Sequence, residues 1–229
     1  MHAPYRLLLV ILVLAVLLGG SLLGGSAPAR ADFQAFEAGL NPDGVAYEIN
    51  ADSEGLLWIS DYYGEIWSID PLSAQYKIYS AGGSPADARR AGDFIYWVDS
   101  NKIVRSNLSG EYYTWMVGSA ATLYSTAVDS LGRLWAIDFL DHYLYRLDPN
   151  PVGLDPAQNE LCTYTIQDNL WGSGYLHSYS YGGKDYLIFG NDDLSRLYRY
   201  NITDDQLEWW QESTKIGSIY GLTVDAQHN

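Results

Sequence analysis

One motif, repeated in register, constrains this chain more than any other feature. Asp52-Ser-Glu-Gly55-Leu-Leu-Trp58-Ile-Ser-Asp61 returns as Asp129-Ser-Leu-Gly132-Arg-Leu-Trp135-Ala-Ile-Asp138. A looser copy, Phe94-Ile-Tyr-Trp-Val-Asp99, lies between them, and Asp185-Tyr-Leu-Ile-Phe-Gly190 follows. Counted from the last residue of each copy, the spacings are 99 − 61 = 38, 138 − 99 = 39 and 190 − 138 = 52 residues, the last lengthened by an inserted loop at 149–160. Two further segments follow each copy, in the first unit Gly64-Glu-Ile-Trp-Ser-Ile-Asp-Pro71 and Gln75-Tyr-Lys-Ile-Tyr79. Each unit thus offers four short runs rich in Tyr, Trp, Ile, Leu and Val, bounded by Gly, Asp, Asn or Pro, which is the pattern of strands joined by tight turns. Four strands every ~40 residues make a β-propeller blade. A helical solenoid would need a 3.6-residue period, and an open sandwich would not repeat its motif in register. The expected fold is all-β, a propeller of four-stranded blades with four full units plus a partial one.

The N-terminus stands apart from this pattern. Residues 7–25 are wholly apolar or small, preceded by Arg6 and followed by Ala29-Arg30-Ala31. A short positive region, an apolar core and small residues before a cleavage point predict a secretory signal peptide over 1–31, with the propeller domain over 32–229. The alternative is an uncleaved membrane anchor, since the apolar stretch approaches the length that spans a bilayer. Cleavage would leave a secreted, extracytoplasmic protein with no stable membrane insertion.

The ends of the repeat array carry a further expectation. Asp32-Phe-Gln-Ala-Phe-Glu-Ala-Gly39 matches the fourth strand of a unit, and Tyr220-Gly-Leu-Thr-Val-Asp225 matches a first strand. Between them they leave a blade without its middle two strands, so the repeats predict an incomplete or C-terminally truncated propeller. Its open sheet edge would invite self-association. The alternative is a compact four-bladed protein closed in another way.

Composition narrows the partners. The chain carries 28 acidic and 13 basic side chains, and removal of Arg6 and Arg30 with residues 1–31 gives 11 − 28 = −17. No basic stripe is present to displace counterions from phosphate, so nucleic acid is not an expected partner. The single cysteine, Cys162, excludes an intrachain disulfide framework. The expected ligand is a small molecule, a glycan or a protein.

Candidate site residues follow from recurrence and position. Asp61, Asp99 and Asp138 each end the second strand of a unit, and Asp192 lies just past the fourth. In a propeller that turn shares a face with the crossovers between blades. A ring of carboxylates there offers oxygen ligands for Mg²⁺ or Ca²⁺. Equally, an Asp at a strand end caps its turn by accepting backbone N–H bonds. Tyr62 and Tyr63 follow Asp61 in the turn and could stack on a sugar or an aromatic ligand. Asp61, Tyr62, Tyr63, Asp99 and Asp138 form the expected ligand-binding set; Asp61, Asp99, Asp138 and Asp192 are the metal candidates. His142, in the turn after Asp138, and His177, at the opening of the fourth unit's first strand, are the candidates for a general base. A surface histidine and a hydrogen-bonded inner-strand histidine are the plain alternatives.

The pattern Asp-x-x-Gly-x-Leu-Trp-x-x-Asp followed by Ile-x-x-Ile-Asp-Pro resembles the repeats of streptogramin B (virginiamycin B) lyase-like propellers. The NHL and SMP-30/gluconolactonase groups have similar repeats. This resemblance implies a catalytic histidine and metal-binding acids in late blades, and with them a metal-assisted lyase or lactonase acting on a cyclic ester. The fold by itself assigns no activity, and a ligand- or protein-binding module is the first expectation.

Overall fold

A computed structural model describes residues 46–140, 143–148, 160–165, 173–191 and 196–211, together with 222 and 224. Sixteen strands form four antiparallel sheets. The first contains β1 (Ala46–Ala51), β2 (Leu57–Asp61), β3 (Glu65–Ile69) and β4 (Tyr76–Ser80). The second contains β5 (Asp87–Ala91), β6 (Phe94–Asp99), β7 (Lys102–Asn107) and β8 (Tyr112–Met116). The third contains β9 (Leu123–Val128), β10 (Leu134–Asp138), β11 (Tyr143–Asp148) and β12 (Glu160–Thr165). The fourth contains β13 (Ser173–Tyr181), β14 (Lys184–Asn191), β15 (Arg196–Asn201) and β16 (Gln206–Gln211). Every sheet runs in simple up-and-down order, and consecutive sheets touch through their first strands, β1 to β5, β5 to β9 and β9 to β13. The four described blades thus form an open arc around an axis lined by first strands, as the repeat spacing predicts. Residues 1–31, the N-terminal repeat fragment, the C-terminal one apart from 222 and 224, the loop 149–159, His142 and Asp192 lie outside the described residues.

The repeated motif makes the blade through specific hydrogen bonds. In the β1–β2 turn the Asp52 carboxylate accepts from the backbone N–H of Glu54 (2.9 Å) and Leu56 (3.0 Å), and from the Trp58 indole (2.8 Å). Asp129 repeats this in the β9–β10 turn, accepting from Leu131 and Arg133 N–H (both 3.0 Å) and the Trp135 indole (2.9 Å). Gly55 and Gly132 hold φ of +84° and +75° there, a region that side chains disfavour. One carboxylate so closes a turn and fixes a large ring, satisfying donors that would be costly to bury unpaired.

Apolar clusters fill the gaps between blades. Trp58 and Ile66 meet Ile95, Trp97 and Val104 between the first two. Tyr96, Val98 and Ile103 meet Leu123, Leu134 and Tyr145 between the second and third. Trp135, Ile137 and Leu144 meet Leu176, Leu187, Phe189 and Tyr198 between the third and fourth. Burying one such side chain contributes about 1.5–3 kcal/mol. Trp58, Tyr96, Trp97, Trp115, Trp135, Tyr145, Phe189, Tyr198 and Tyr200 are the buried aromatic members of these clusters.

Candidate functional site

Asp61 and Asp138 are turn caps within their own blades, whereas Asp99 accepts from the Ser100 hydroxyl at 3.2 Å and lies 3.9 Å from the Lys102 ammonium. Asp61 accepts from Tyr63 N–H at 2.5 Å, with Tyr62 and Tyr63 about half exposed beside it. Asp138, fully buried, accepts from Leu140 N–H (3.0 Å) and from Thr122 N–H (3.1 Å), sixteen residues upstream. Asp99 stands in the same relation to Gly83, also 99 − 83 = 16 residues upstream, where a Cβ would lie 2.2 Å from its carboxylate. Asp138 therefore ties the end of its second strand to the chain entering the same blade, and Asp99 packs against the corresponding entering residue of its own. Among the described residues no three His, Cys, Asp or Glu side chains converge as a metal site would require. The candidate acids that are described, Asp61, Asp99 and Asp138, stay apart, each in its own blade.

A different set of polar groups does converge, on the axis. Ile49, Ala88, Thr126 and His177 pair with Ile59, Trp97, Ala136 and Ile188, each two residues before the end of its motif copy. The residues just before them, Glu48, Asp87, Ser125 and Leu176, are therefore equivalent positions on the four first strands. They meet there. Asp87, fully buried, accepts from the Asn50 amide (2.6 Å), Thr126 N–H (2.6 Å), Thr126 Oγ1 (2.8 Å) and Ser125 Oγ (3.3 Å). Ser125 Oγ also lies 3.4 Å from Glu48 and accepts from Leu176 N–H at 2.9 Å. Arg89 stands 3.6 Å from both Glu48 and Asp87 and donates to the Leu176 carbonyl at 3.1 Å. One network so joins all four blades across the axis.

This setting shifts two titratable groups. Burial and then Asp87 push the Glu48 carboxyl up to about 9, against the pull of Arg89 and Ser125. Burial and then Arg89 bring His177 down to about 4, so its imidazole is neutral at pH 7. His177 lies in the middle of β13 rather than at its opening.

Above this network three first strands change register. In β1, β9 and β13 the pairing shifts by a bulge, and Tyr47, Tyr124 and Tyr175 occupy it at equivalent positions. β5 pairs without a shift, and Ala86 stands at that position. A bulge re-aims a side chain beside a site. Tyr175 holds φ of +58°, uncommon for an aromatic residue and a local cost that the surrounding contacts must sustain. The rings form a chain: Tyr63 to Tyr62 at 5.6 Å and 88°, Tyr62 to Tyr47 at 5.8 Å, Tyr124 to Tyr175 at 5.7 Å and 85°, and Tyr124 to Phe139 at 5.5 Å. Burial, then Tyr62 and Tyr124, push the Tyr47 phenol up, which places Tyr47 electrostatically between the two groups of rings. The mouth of the axis is thus marked by three tyrosines, each one residue before a member of the buried acid–guanidinium network.

Of the residues expected from sequence, Tyr62 and His177 belong to this neighbourhood, with Tyr63 at its edge. Asp87, Arg89, Ser125, Tyr47, Tyr124 and Tyr175 were not expected. The available signal was a tyrosine five residues before the motif aspartate in two units, Tyr47 before Asp52 and Tyr124 before Asp129.

The geometry defines a β-propeller whose first strands meet in a polar network on the axis. No protein-family model and no curated protein sequence matches the chain. Solved structures do resemble it. Virginiamycin B lyase from Staphylococcus aureus superposes with a TM-score of 0.65 at 16% identity, covering 81% of this chain and 62% of that one. A streptogramin B lyase gives 0.61 at 16% identity, over 76% and 56%. The WD40 propeller domain of Doa1 gives 0.61 at 10% identity, over 79% and 57%. The chain thus spans about three fifths of the length of these structures, and at such identities the likeness is one of fold.

Proposed function

We propose that this chain is an exported propeller that binds a ligand, with the ligand seated in the axial mouth. The observation that carries the reading is the convergence of Glu48, Asp87, Arg89 and Ser125, from three blades, beneath Tyr47, Tyr124 and Tyr175. Concave sites that combine aromatic walls with a few placed polar groups are the usual form of a ligand pocket. The acidic surface supports a partner other than nucleic acid. A glycan, a small molecule or a protein loop would enter from the same face. The test is a tryptophan-fluorescence titration with methyl glycosides, amines and short peptides on the wild-type chain, Tyr124→Ala and Leu207→Ala. Leu207 lines a separate hollow of about 680 Å³ between the third and fourth blades. Loss of binding in Tyr124→Ala alone supports the mouth; loss in Leu207→Ala alone moves the site to that hollow.

A second reading, a Mg²⁺- or Ca²⁺-assisted lyase or lactonase acting on a cyclic ester, draws on the likeness to the two lyase structures. It requires His142 and Asp192, outside the described residues, to meet further ligands. Ring opening of a cyclic depsipeptide by the chain, abolished by a chelator, would establish it. Self-association through an open edge is part of the first reading. The edge expected to pair is that of the incomplete blade, whose terminal fragments lie almost wholly outside the described residues, and concentration-dependent sedimentation would reveal such pairing.

A further inference from the structure

We propose that the hollow between the third and fourth blades is a second binding site, which takes the rings of a neutral saccharide. Its lining comes from β12, β15, β16 and the turn between the last two, with no residue of a first strand. It is therefore separate from the axial mouth and independent of what the mouth binds.

The gaps between the described blades can be compared at one pair of facing positions. In the first three blades the second residue of the third strand pairs with an aromatic residue of the fourth: Ile66 with Tyr79, Ile103 with Trp115 and Leu144 with Tyr164. Across each gap stands the last residue but one of the next blade's third strand, which is Ser106, Leu147 and Tyr200 in turn. Trp115 and Leu147 belong to one apolar cluster, 7% and 0% exposed, and seal the middle gap. Tyr79 and Ser106 border a hollow of about 530 Å³, where a ring faces a hydroxyl. Between the third and fourth blades a ring faces a ring. Tyr164 and Tyr200 stand 6.3 Å apart at 59°, with buried Trp135 behind them at 5.2 and 6.0 Å. The hollow that they border, about 680 Å³, is of the size of a small-molecule pocket. A packing signal would recur in every gap, and this pair of rings occurs in one of the three.

The rest of the lining sets the chemistry. Thr163, Gln206 and Leu207 border the hollow together with Asp205 and Glu208. The nearby charges pair off, Arg146 with Asp148 at 2.6 Å and Arg199 with Glu208. Asp205 accepts from the Tyr200 hydroxyl at 2.5 Å, and burial, then Asp205, push that phenol up, so it stays a neutral donor. An anion finds no unpaired cation among these groups, and a polycation finds one carboxylate that is already engaged. A wholly apolar ligand would strip water from the hydroxyl, amide and carboxylate groups without replacing it. A pyranose ring matches both halves of the lining: its C–H face lies on an aromatic ring, and its hydroxyls reach polar groups placed around that ring.

The experiment is saturation-transfer difference NMR on the full chain with cellotetraose, maltotetraose and chitotriose, with spermidine as a charged control. The expected result is saturable binding of at least one saccharide, tighter than that of spermidine, with transfer concentrated on the C–H protons of one ring face. This measurement on the wild-type chain needs no variant to fold. Tyr164→Ala should weaken the saccharide about tenfold, Gln206→Ala about threefold and Tyr79→Ala not at all. Gln206 is exposed, so its variant probes the hollow without disturbing the core. No saccharide binding at millimolar concentration, or spermidine bound more tightly than every saccharide, overturns the saccharide. Equal weakening by Tyr79→Ala and Tyr164→Ala overturns the ring pair as its seat. Binding lost in Tyr124→Ala and kept in Tyr164→Ala puts the saccharide in the axial mouth, which overturns the flank site and upholds the mouth.

Discussion

The rim and the axis of this propeller use the same residue type for opposite purposes. At the rim Asp61, Asp99 and Asp138 recur at one position of every early blade, and each serves its own blade: Asp138 accepts from Thr122 and Leu140, both of the same blade. On the axis the equivalent positions hold four different residues, Glu48, Asp87, Ser125 and Leu176, and their hydrogen bonds cross between blades. A feature that every blade needs to fold must appear in every blade. A site assembled by several blades needs a different group from each. In a repeat protein, recurrence therefore marks the folding signal, and broken recurrence at equivalent inner positions marks the candidate site.

That contrast can be broken most forcefully at Asp87. Asp87→Ala strands the buried donors of Asn50, Thr126 and Ser125 and removes one partner of Arg89. Urea unfolding should show a loss of about 3–5 kcal/mol; a loss below about 1 kcal/mol would mean that the axis does not bind the blades together. Next comes pH. Glu48, raised to about 9 when folded, keeps a proton that the unfolded chain releases above about 4.5. The native state then binds more protons than the unfolded one across that window, so stability falls as pH rises from about 4.5 to 9. His177, lowered to about 4, acts in the other sense, its contribution being lost as pH falls from about 6.5 to 4. Glu48→Gln should flatten the alkaline side of the stability profile while leaving the acid side in place.

Within the blades the effects are smaller. Asp129→Ala releases the Trp135 indole, the Arg133 guanidinium and two backbone donors, and should cost about 2 kcal/mol. Asp138→Ala loses two backbone donors' acceptor and should cost about 1–2 kcal/mol. Both losses should leave ligand affinity unchanged, which sharpens the division between rim and axis. Tyr63→Ala, at an exposed turn, should shift stability by no more than about 0.5 kcal/mol. A thermal-melt series over these variants gives the ranking directly.

The blades were legible because their makers are local. Asp52 and Trp58 are six residues apart, as are Asp129 and Trp135, so the sequence carries both partners of the bond that closes the turn. The axis was not legible. β5 reads Asp87-Ala-Arg-Arg-Ala91, a strand with three charges in five residues and no apolar alternation to announce it. It supplies Asp87 and Arg89, whose charges are tolerated only because Asn50, Thr126 and Glu48 arrive from neighbouring blades. Tyr47 and Tyr124 both stand five residues before the aspartate of their motif, 52 − 47 = 129 − 124 = 5, so their shared position could have been counted; Tyr175 is offset by one, 190 − 175 = 15 against 138 − 124 = 14.

The sequence by itself determined the blade: its four strands, its turns and its period, all set by contacts within a few residues or within one repeat. Only the tertiary structure decided the site. Groups that bond between its blades lie 37 residues or more apart, as Asn50 does from Asp87, and become neighbours because the first strands are gathered around one axis. Burial there gives a carboxyl and an imidazole properties that neither has in the extended chain.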